Sequence, residues 1–382
     1  MKQIYEDYIT LVRCALEGKS ADEFSGDFTA LLKLAREHNM TNILWYALRN
    51  NRNVPTAVTA ELQGSHNMLL FKCANQKLAR AEIERIFSEQ GIEHIFLKGA
   101  DVAELYPSED MREMADIDVY ADVEEHERVK AALLNIGYSF EGHKGHHDVF
   151  HRDPFLSVEV HESVLDHQRD TRLEQYFVPP WKLAHEDTVS RHFDLSDNYI
   201  FLMGHLFGHF HQGGIGVRVF ADMALYIKKY ADELEWDRIN SVFDSCGVLE
   251  VMNNLKSLAL HWFGDEPENE LIDEMGEYVF ESGSYGRTAN MAMYLADEGS
   301  GRGNPFWSTV RGMLLLPADE MRRRSKAVDR FPLLLPFAYV VRTVKIFFTQ
   351  FRRVLSWMRD IKNTDVEDVK KYKDMMHRFG VK

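Results

Sequence analysis

Two aspartates separated by one isoleucine, Asp116 and Asp118, stand near the end of "FLKGADVAELYPSEDMREMADIDVYAD" at 96–122. On a strand, residues two apart share a face, so both carboxylates point one way while Ile117 and Val119 point into a core. Like charges this close raise each other's proton affinity, so the pair asks for a cation between them. In "SVEVHE" at 157–162, Ser157, Glu159 and His161 share a face in the same manner, with Val158 and Val160 opposite. If the two strands are neighbours, Asp116, Asp118 and Glu159 make a three-carboxylate cluster. Hard oxygen ligands at that density suit Mg2+ or Mn2+, and two such ions serve an in-line displacement at phosphorus. The plain alternative is a set of exposed strand acids with no site.

Upstream residues sharpen the pattern. Gly99 follows a strand and opens a helix, where the missing Cβ lets backbone N–H groups approach a phosphate. Lys98 and Arg112 supply positive charge suited to a triphosphate. Each feature alone is weak, since glycine after a strand is usually a turn. Their order along the chain is much less common: strand, glycine, helix, Asp-x-Asp strand, then a strand with a lone acid.

These residues need a sheet to hold them. Residues 1–91 read as a helical region, with "FTALLKLAREHNM" at helical spacing, Thr41 as a helix cap, and a long helix from Pro55 to about Gln90. From 92 the period changes. "IEHIFL", "ADIDVYAD", "YSFEGH", "HDVFHR" and "FLSVEVHE" read as strands, and "VEEHERVKAALLNIGY" as a helix ended by Gly137. The mixed segment spans 92–165. A helical region follows at 166–300, on the substrate side, then a basic helical region at 301–382. The expected class is α+β, a small mixed sheet flanked by N-terminal and C-terminal helices.

The pattern resembles the nucleotidyltransferase superfamily that shares the catalytic domain of DNA polymerase beta. More narrowly it resembles a bacterial family of uncharacterised nucleotidyltransferases with an "LKG…Y…R…DID" signature. Residues 97–99, Tyr106, Arg112 and Asp116 to Asp118 match that signature, and "VEVH" at 158–161 matches where the family places its third acid followed by histidine. "GVRVFADMALYI" at 216–227 is similar to a helix on which relatives carry an arginine and an aspartate, here Arg218 and Asp222. The resemblance implies that Asp116 and Asp118 hold both metals and contact the triphosphate. It also implies that Glu159 completes the second metal site and helps deprotonate the acceptor, and that Lys98, Gly99 and Arg112 bind the nucleotide phosphates. The implied reaction passes a nucleotidyl group from an NTP to an acceptor, sugar-related or otherwise small, or a protein, releasing pyrophosphate. The wider superfamily has Gly-Gly or Gly-Ser where this chain has Lys98-Gly99-Ala100. A non-catalytic nucleotide-binding module with the same fold is therefore the rival reading.

Weaker signals have bland readings beside them. His205 and His209 are four apart on a helix, a ligand spacing, but lack the glutamate of H-E-x-x-H. Lining an acceptor pocket with His161, Arg218 and Asp222 suits them better than a zinc hydrolase. Arg218 and Asp222 also read as an i,i+4 ion pair. "GHKGHHDVFH" at 142–151 reads as a solvated hairpin turn before a metal site, and "GSGRGNP" at 299–305 as a linker.

Composition excludes other classes. The chain of 382 residues carries a formal charge of −15, which argues against general nucleic-acid binding. Residues 301–382 hold 18 Lys and Arg against 8 Asp and Glu, so the basic charge is concentrated at the C-terminal end. There, Val344, Phe347, Phe348, Phe351, Leu355 and Met358 form an apolar stripe on a basic helix. The stripe reads first as packing on the acidic body and second as peripheral contact with an anionic membrane. Three dispersed cysteines, no leader-like N-terminus and no long apolar run point to the cytoplasm.

Overall fold

The structure is a computed structural model that describes residues 1–144, 147–165, 171–185, 189–284, 318–323, 330–349 and 366–381, with a few single positions between 286 and 328. It divides into two compact units, one of Met1–Gly208 with Ile215–Ser284 and one of His209–Gly214 with Tyr285–Lys382.

The first unit is built on a mixed sheet of seven strands: β1 (His94–Leu97), β2 (Ile117–Tyr120), β3 (Ser139–Lys144), β4 (His147–Arg152), β5 (Leu156–His161), β6 (Ala184–His185) and β7 (Ser190–Phe193). Their order across the sheet is β3-β4-β5-β2-β1-β7-β6. The class is α+β, as the sequence pattern implies. β2 lies between β5, to which it is parallel, and β1, to which it is antiparallel. The parallel pairing of β7 with β1 extends the sheet into a stretch where the sequence reads as helix. β7 is four residues long and β6 two, too short for alternation to stand out.

One face of the sheet is apolar because alternate strand residues are. Ile117 and Val119 of β2, Phe150 of β4, and Leu156, Val158 and Val160 of β5 are buried against two helices. These are α4 (Thr56–Glu89) and α6 (His126–Asn135), which contribute Ala79, Ile83, Ile86 and Phe87, and Val129, Ala132 and Leu133. α4 has 34 residues, about 50 Å at the usual rise. The opposite face carries Asp118, Glu159 and His161, since side chains one step along each strand point the other way.

The N-terminal helices α1 (Gln3–Leu16), α2 (Phe28–Glu37) and α3 (Thr41–Leu48) join this unit. Asp27 caps α2 by accepting from the amides of Thr29 and Ala30. Thr41, expected as a cap, is instead the first residue of α3, which has no side-chain cap. After β1 comes a single turn, α5 (Ala100–Ala103), and after β5 the helices α7 (Thr171–Tyr176), α8 (Leu195–Gln212), α9 (Val217–Tyr230), α10 (Trp236–Ser245), α11 (Leu249–Phe263) and α12 (Glu270–Ser282). Arg13 of α1 donates to the Trp262 carbonyl of α11 at 2.9 Å, and Tyr5 stacks on Phe280 of α12 at 4.1 Å. The N-terminal helices, a separate region by sequence, thus pack on the helices that follow the sheet.

In the second unit lie α13 (Ala318–Arg323), α14 (Leu335–Thr349) and α15 (Val366–Arg378). Phe337, Val340, Val341 and Val344 of α14 are exposed. The rest of the predicted basic stripe, from Phe347 to Met358, and the linker at 299–305 lie outside the side chains or residues described. Among the described residues no helix is long and apolar enough to cross a membrane.

Candidate active site

The turn after β1 reverses on two left-handed residues, Lys98 at φ 54° and Gly99 at φ 35°. Lysine in that region costs on the order of 1 kcal/mol. The strained turn sets the Lys98 ammonium 3.4 Å from Asp118 Oδ1 across the β1–β2 pair, where Leu97 is the register partner of Asp118. A Cβ at position 99 would meet Met114 Sδ at 3.0 Å, a second reason for glycine there. The helix that follows has only four residues. A helix macrodipole is therefore small here, and any phosphate would meet the turn itself.

The loop that delivers Asp116 is held from three sides. Asn42 and Tyr46 of α3 donate to the buried Asp110 carboxylate at 2.6 and 3.1 Å. Gln76 of α4 donates to the Met114 carbonyl at 3.2 Å. Arg112 forms a bidentate pair with Asp222 of α9, to which Tyr106 also donates at 2.6 Å. Asp222 is thus engaged by Arg112 and Tyr106 rather than by Arg218, its i,i+4 neighbour.

The parallel pairing of β2 and β5 sets Asp118 directly beside Glu159, and Tyr120 beside His161. Asp116 sits one residue before β2, half-buried. His161 Nε2 donates to Asp118 Oδ1 at 2.7 Å and lies 3.8 Å from Glu159 Oε2. From β4, His147 lies opposite His161 and brings its Nε2 to 3.4 Å from Glu159 Oε2.

The acids differ sharply in proton affinity. Burial pushes Asp118 upward, but Lys98 and His161 outweigh it and hold the carboxyl well below the usual range. Burial and the Asp118 charge push Asp116 up. Glu159 is raised to about 7 by burial and by the two aspartates. Burial, then repulsion from His161, brings His147 down to about 4, so this imidazole is neutral at pH 7. One acid is therefore firmly ionised and two carry charge reluctantly. Positive charge placed beside these acids would favour their ionised forms.

Beside the pair an open cleft runs between α4 and the β1 turn, its lining including Lys77, Arg80, Phe96, Lys98, Asp116 and Asp118.

The fold therefore brings together Lys98, Gly99, Asp116, Asp118, Glu159 and His161. Arg112 and Asp222 form a buried pair behind them, although Arg112 Nη1 comes 4.0 Å from where a Cβ at residue 99 would stand. Arg218 acts on Asp116 through its charge, lowering that acid's proton affinity. His205 and His209 lie on α8. Among the described residues, the one set of three or more ligand atoms close enough to share an ion is His147, Glu159 and His161.

A sequence profile described as uncharacterised nucleotidyltransferase matches residues 25–264. That is more than half of the chain, from α2 to the end of α11. The chain belongs to the uncharacterised nucleotidyltransferase family. No curated protein and no solved structure gives a match. The span matched by the nucleotidyltransferase family includes the acids as well as the anchors Asn42, Gln76, Arg112 and Asp222, so the loop and its supports fall in one family unit.

Two site residues were missed in the sequence. His147 falls in a stretch that reads as a solvated turn, yet it begins β4 and shares a face with Glu159; the reading of "HDVFHR" as a strand carries that signal. Asp110 had no local signal, because Asn42 and Tyr46, which hold it from α3, lie more than sixty residues away.

Proposed function

We propose that this nucleotidyltransferase is metal-dependent and moves an NMP group from an NTP to an acceptor hydroxyl. The observation that carries this reading is the register of Asp118 beside Glu159, with Asp116 next to them and Lys98 in reach. A divalent ion, Mg2+ or Mn2+, held by Asp116, Asp118 and Glu159 would stabilise the negative charge that builds on the phosphoryl oxygens. We assign the NTP to the open cleft beside the acids, its triphosphate against Lys98 and the Gly99 turn. Glu159, with its proton affinity near neutrality, accepts the proton of the acceptor hydroxyl. The acceptor oxygen bonds to the α-phosphorus as the bond from that phosphorus to the bridging oxygen breaks, and pyrophosphate leaves. Arg112 holds the loop before Asp116 through its pair with Asp222, and Arg218 adds charge on the Asp116 side.

The acceptor is a small hydroxylated molecule, with sugar-related compounds the first to test and protein hydroxyls the second. Three cysteines that form no disulfide support a reducing, cytoplasmic setting. The exposed Phe337, Val340, Val341 and Val344 of α14 support peripheral contact with an anionic membrane, which vesicle co-sedimentation with anionic against neutral lipid would check. Two observations favour the rival reading, a nucleotide-binding module without catalysis. Arg112 is committed to Asp222 and Ala100 has no hydroxyl for a phosphate.

Thermal unfolding with each of four NTPs, with and without Mg2+ or Mn2+, separates the two. Ligand at a hundred times its Kd adds about 2.7 kcal/mol of stability. Stabilisation that needs the ion and disappears in Asp116→Ala/Asp118→Ala supports the transferase. Stabilisation without an ion, unchanged in that variant, supports the binding module. No response to any NTP would remove both.

A further inference from the structure

The all-oxygen site expected of three carboxylates is not what the sheet presents. On the Glu159 side two imidazoles enter it. His147 and His161 face each other across β4 and β5, with ring centroids 5.1 Å apart. Glu159 is two residues before His161 on the same strand face. The three contribute ligand atoms that all lie within 4.8 Å of one another. Cis ligands of an ion with bonds of about 2.1 Å stand roughly 3 Å apart, and trans ligands roughly 4 Å. The distances of 3.4 Å from His147 Nε2 to Glu159 Oε2 and 3.8 Å from His161 Nε2 to the same oxygen fall in that interval. Asp118 stands outside this set: its Oδ1 accepts from His161 Nε2 at 2.7 Å, a bond His161 exchanges for the ion when that nitrogen ligates. All of these side chains rise from paired strands, so little rearrangement is needed to close them on an ion.

We propose that His147, Glu159 and His161 form a binding site for a nitrogen-accepting transition ion of the Mn2+, Co2+ or Zn2+ class, and that the third-acid side of this active site therefore selects such an ion over Mg2+. The reason is donor chemistry. Imidazole suits first-row transition ions, whereas Mg2+ keeps to oxygen and gives up its waters reluctantly. A neutral imidazole is the ligand form. The inference rests on the transferase reading for its importance, but not for its geometry. The site stands without a nucleotide.

The test uses metal-stripped full-length protein titrated with Co2+, whose visible absorption reports nitrogen ligation, followed by competition with Mg2+. The expected result is a saturable band at one ion per chain that Mg2+ displaces only in large excess. His147→Gln, with its fold checked by circular dichroism, should weaken Co2+ binding at least about tenfold. Asp116→Asn should keep the band while losing the NTP-induced thermal shift. Absence of a Co2+ band, equal competition by Mg2+, or unchanged binding in His147→Gln would each overturn the site. If NTP still stabilises the protein in Mg2+ in those cases, the transferase reading survives the loss of this inference. If the band behaves as expected and no NTP binds, the metal site stands and the transferase reading falls.

Discussion

The Arg112 guanidinium donates from Nε to Asp222 Oδ1 at 2.8 Å and from its second nitrogen to Oδ2 at 2.9 Å, with both groups buried and 110 residues apart in sequence. This pair fastens the loop that ends at Asp116 to α9. Arg112 Nη1 also comes 4.0 Å from where a Cβ at residue 99 would stand.

Removing one partner leaves an uncompensated buried charge. Asp222→Asn and Arg112→Ala should each destabilise the protein by about 3–5 kcal/mol in urea unfolding. The apolar pair Arg112→Met/Asp222→Leu should recover much of that loss. Stability as high in Asp222→Asn as in the parent would show that the pair contributes little.

Glu159 gives a pH dependence with a definite sign. Its folded value of about 7 lies above the ordinary 4.5, so its favourable contribution is complete below pH 4.5 and is lost as pH rises through 7. The full swing is roughly 3 kcal/mol. His147 acts oppositely: its folded value of about 4 lies below 6.5, so stability is lost as pH falls from 6.5 to 4. The clean comparison is therefore metal-free wild type against Glu159→Gln. The variant should gain stability relative to wild type between pH 5 and 8, and added divalent ion should close the difference. A constant offset across that range would contradict the raised proton affinity.

Gly99→Ala should cost about 1–3 kcal/mol, because alanine resists a φ of 35°. The contact with Met114 Sδ at 3.0 Å is the smaller part, since a methionine end can shift. Gly99→Ala/Met114→Ala should then keep most of the loss beyond that of Met114→Ala alone. Melting curves of the three variants decide it.

Lys98→Met removes the cation 3.4 Å from Asp118. Asp118 should titrate at higher pH in the variant, measurable by carboxyl carbon NMR, and NTP affinity by calorimetry should fall at least tenfold. Unchanged affinity would remove Lys98 from the phosphate site.

Much of this was legible locally. Strand alternation is a property of the pleat, so the residue order alone sends Ile117, Val119, Val158 and Val160 to a core and Asp118, Glu159 and His161 to the other face. The length of α4 was likewise legible, since helical spacing runs unbroken from Pro55 to a glycine at 91. The short strands β7 and β6 were not, because β7 takes its order from pairing with β1 and the edge strand β6 from pairing with β7.

What the sequence determined by itself is the chemistry on offer: which side chains share a face, and a turn that only glycine enters easily. What the tertiary structure decided is who stands beside whom. The pairing of β2 with β5, the entry of His147 beside Glu159, and the choice of Arg112 over Arg218 by Asp222 all join residues distant in the chain. Local periodicity is blind to such choices, which are settled by burying the most apolar surface while leaving no buried charge without a partner.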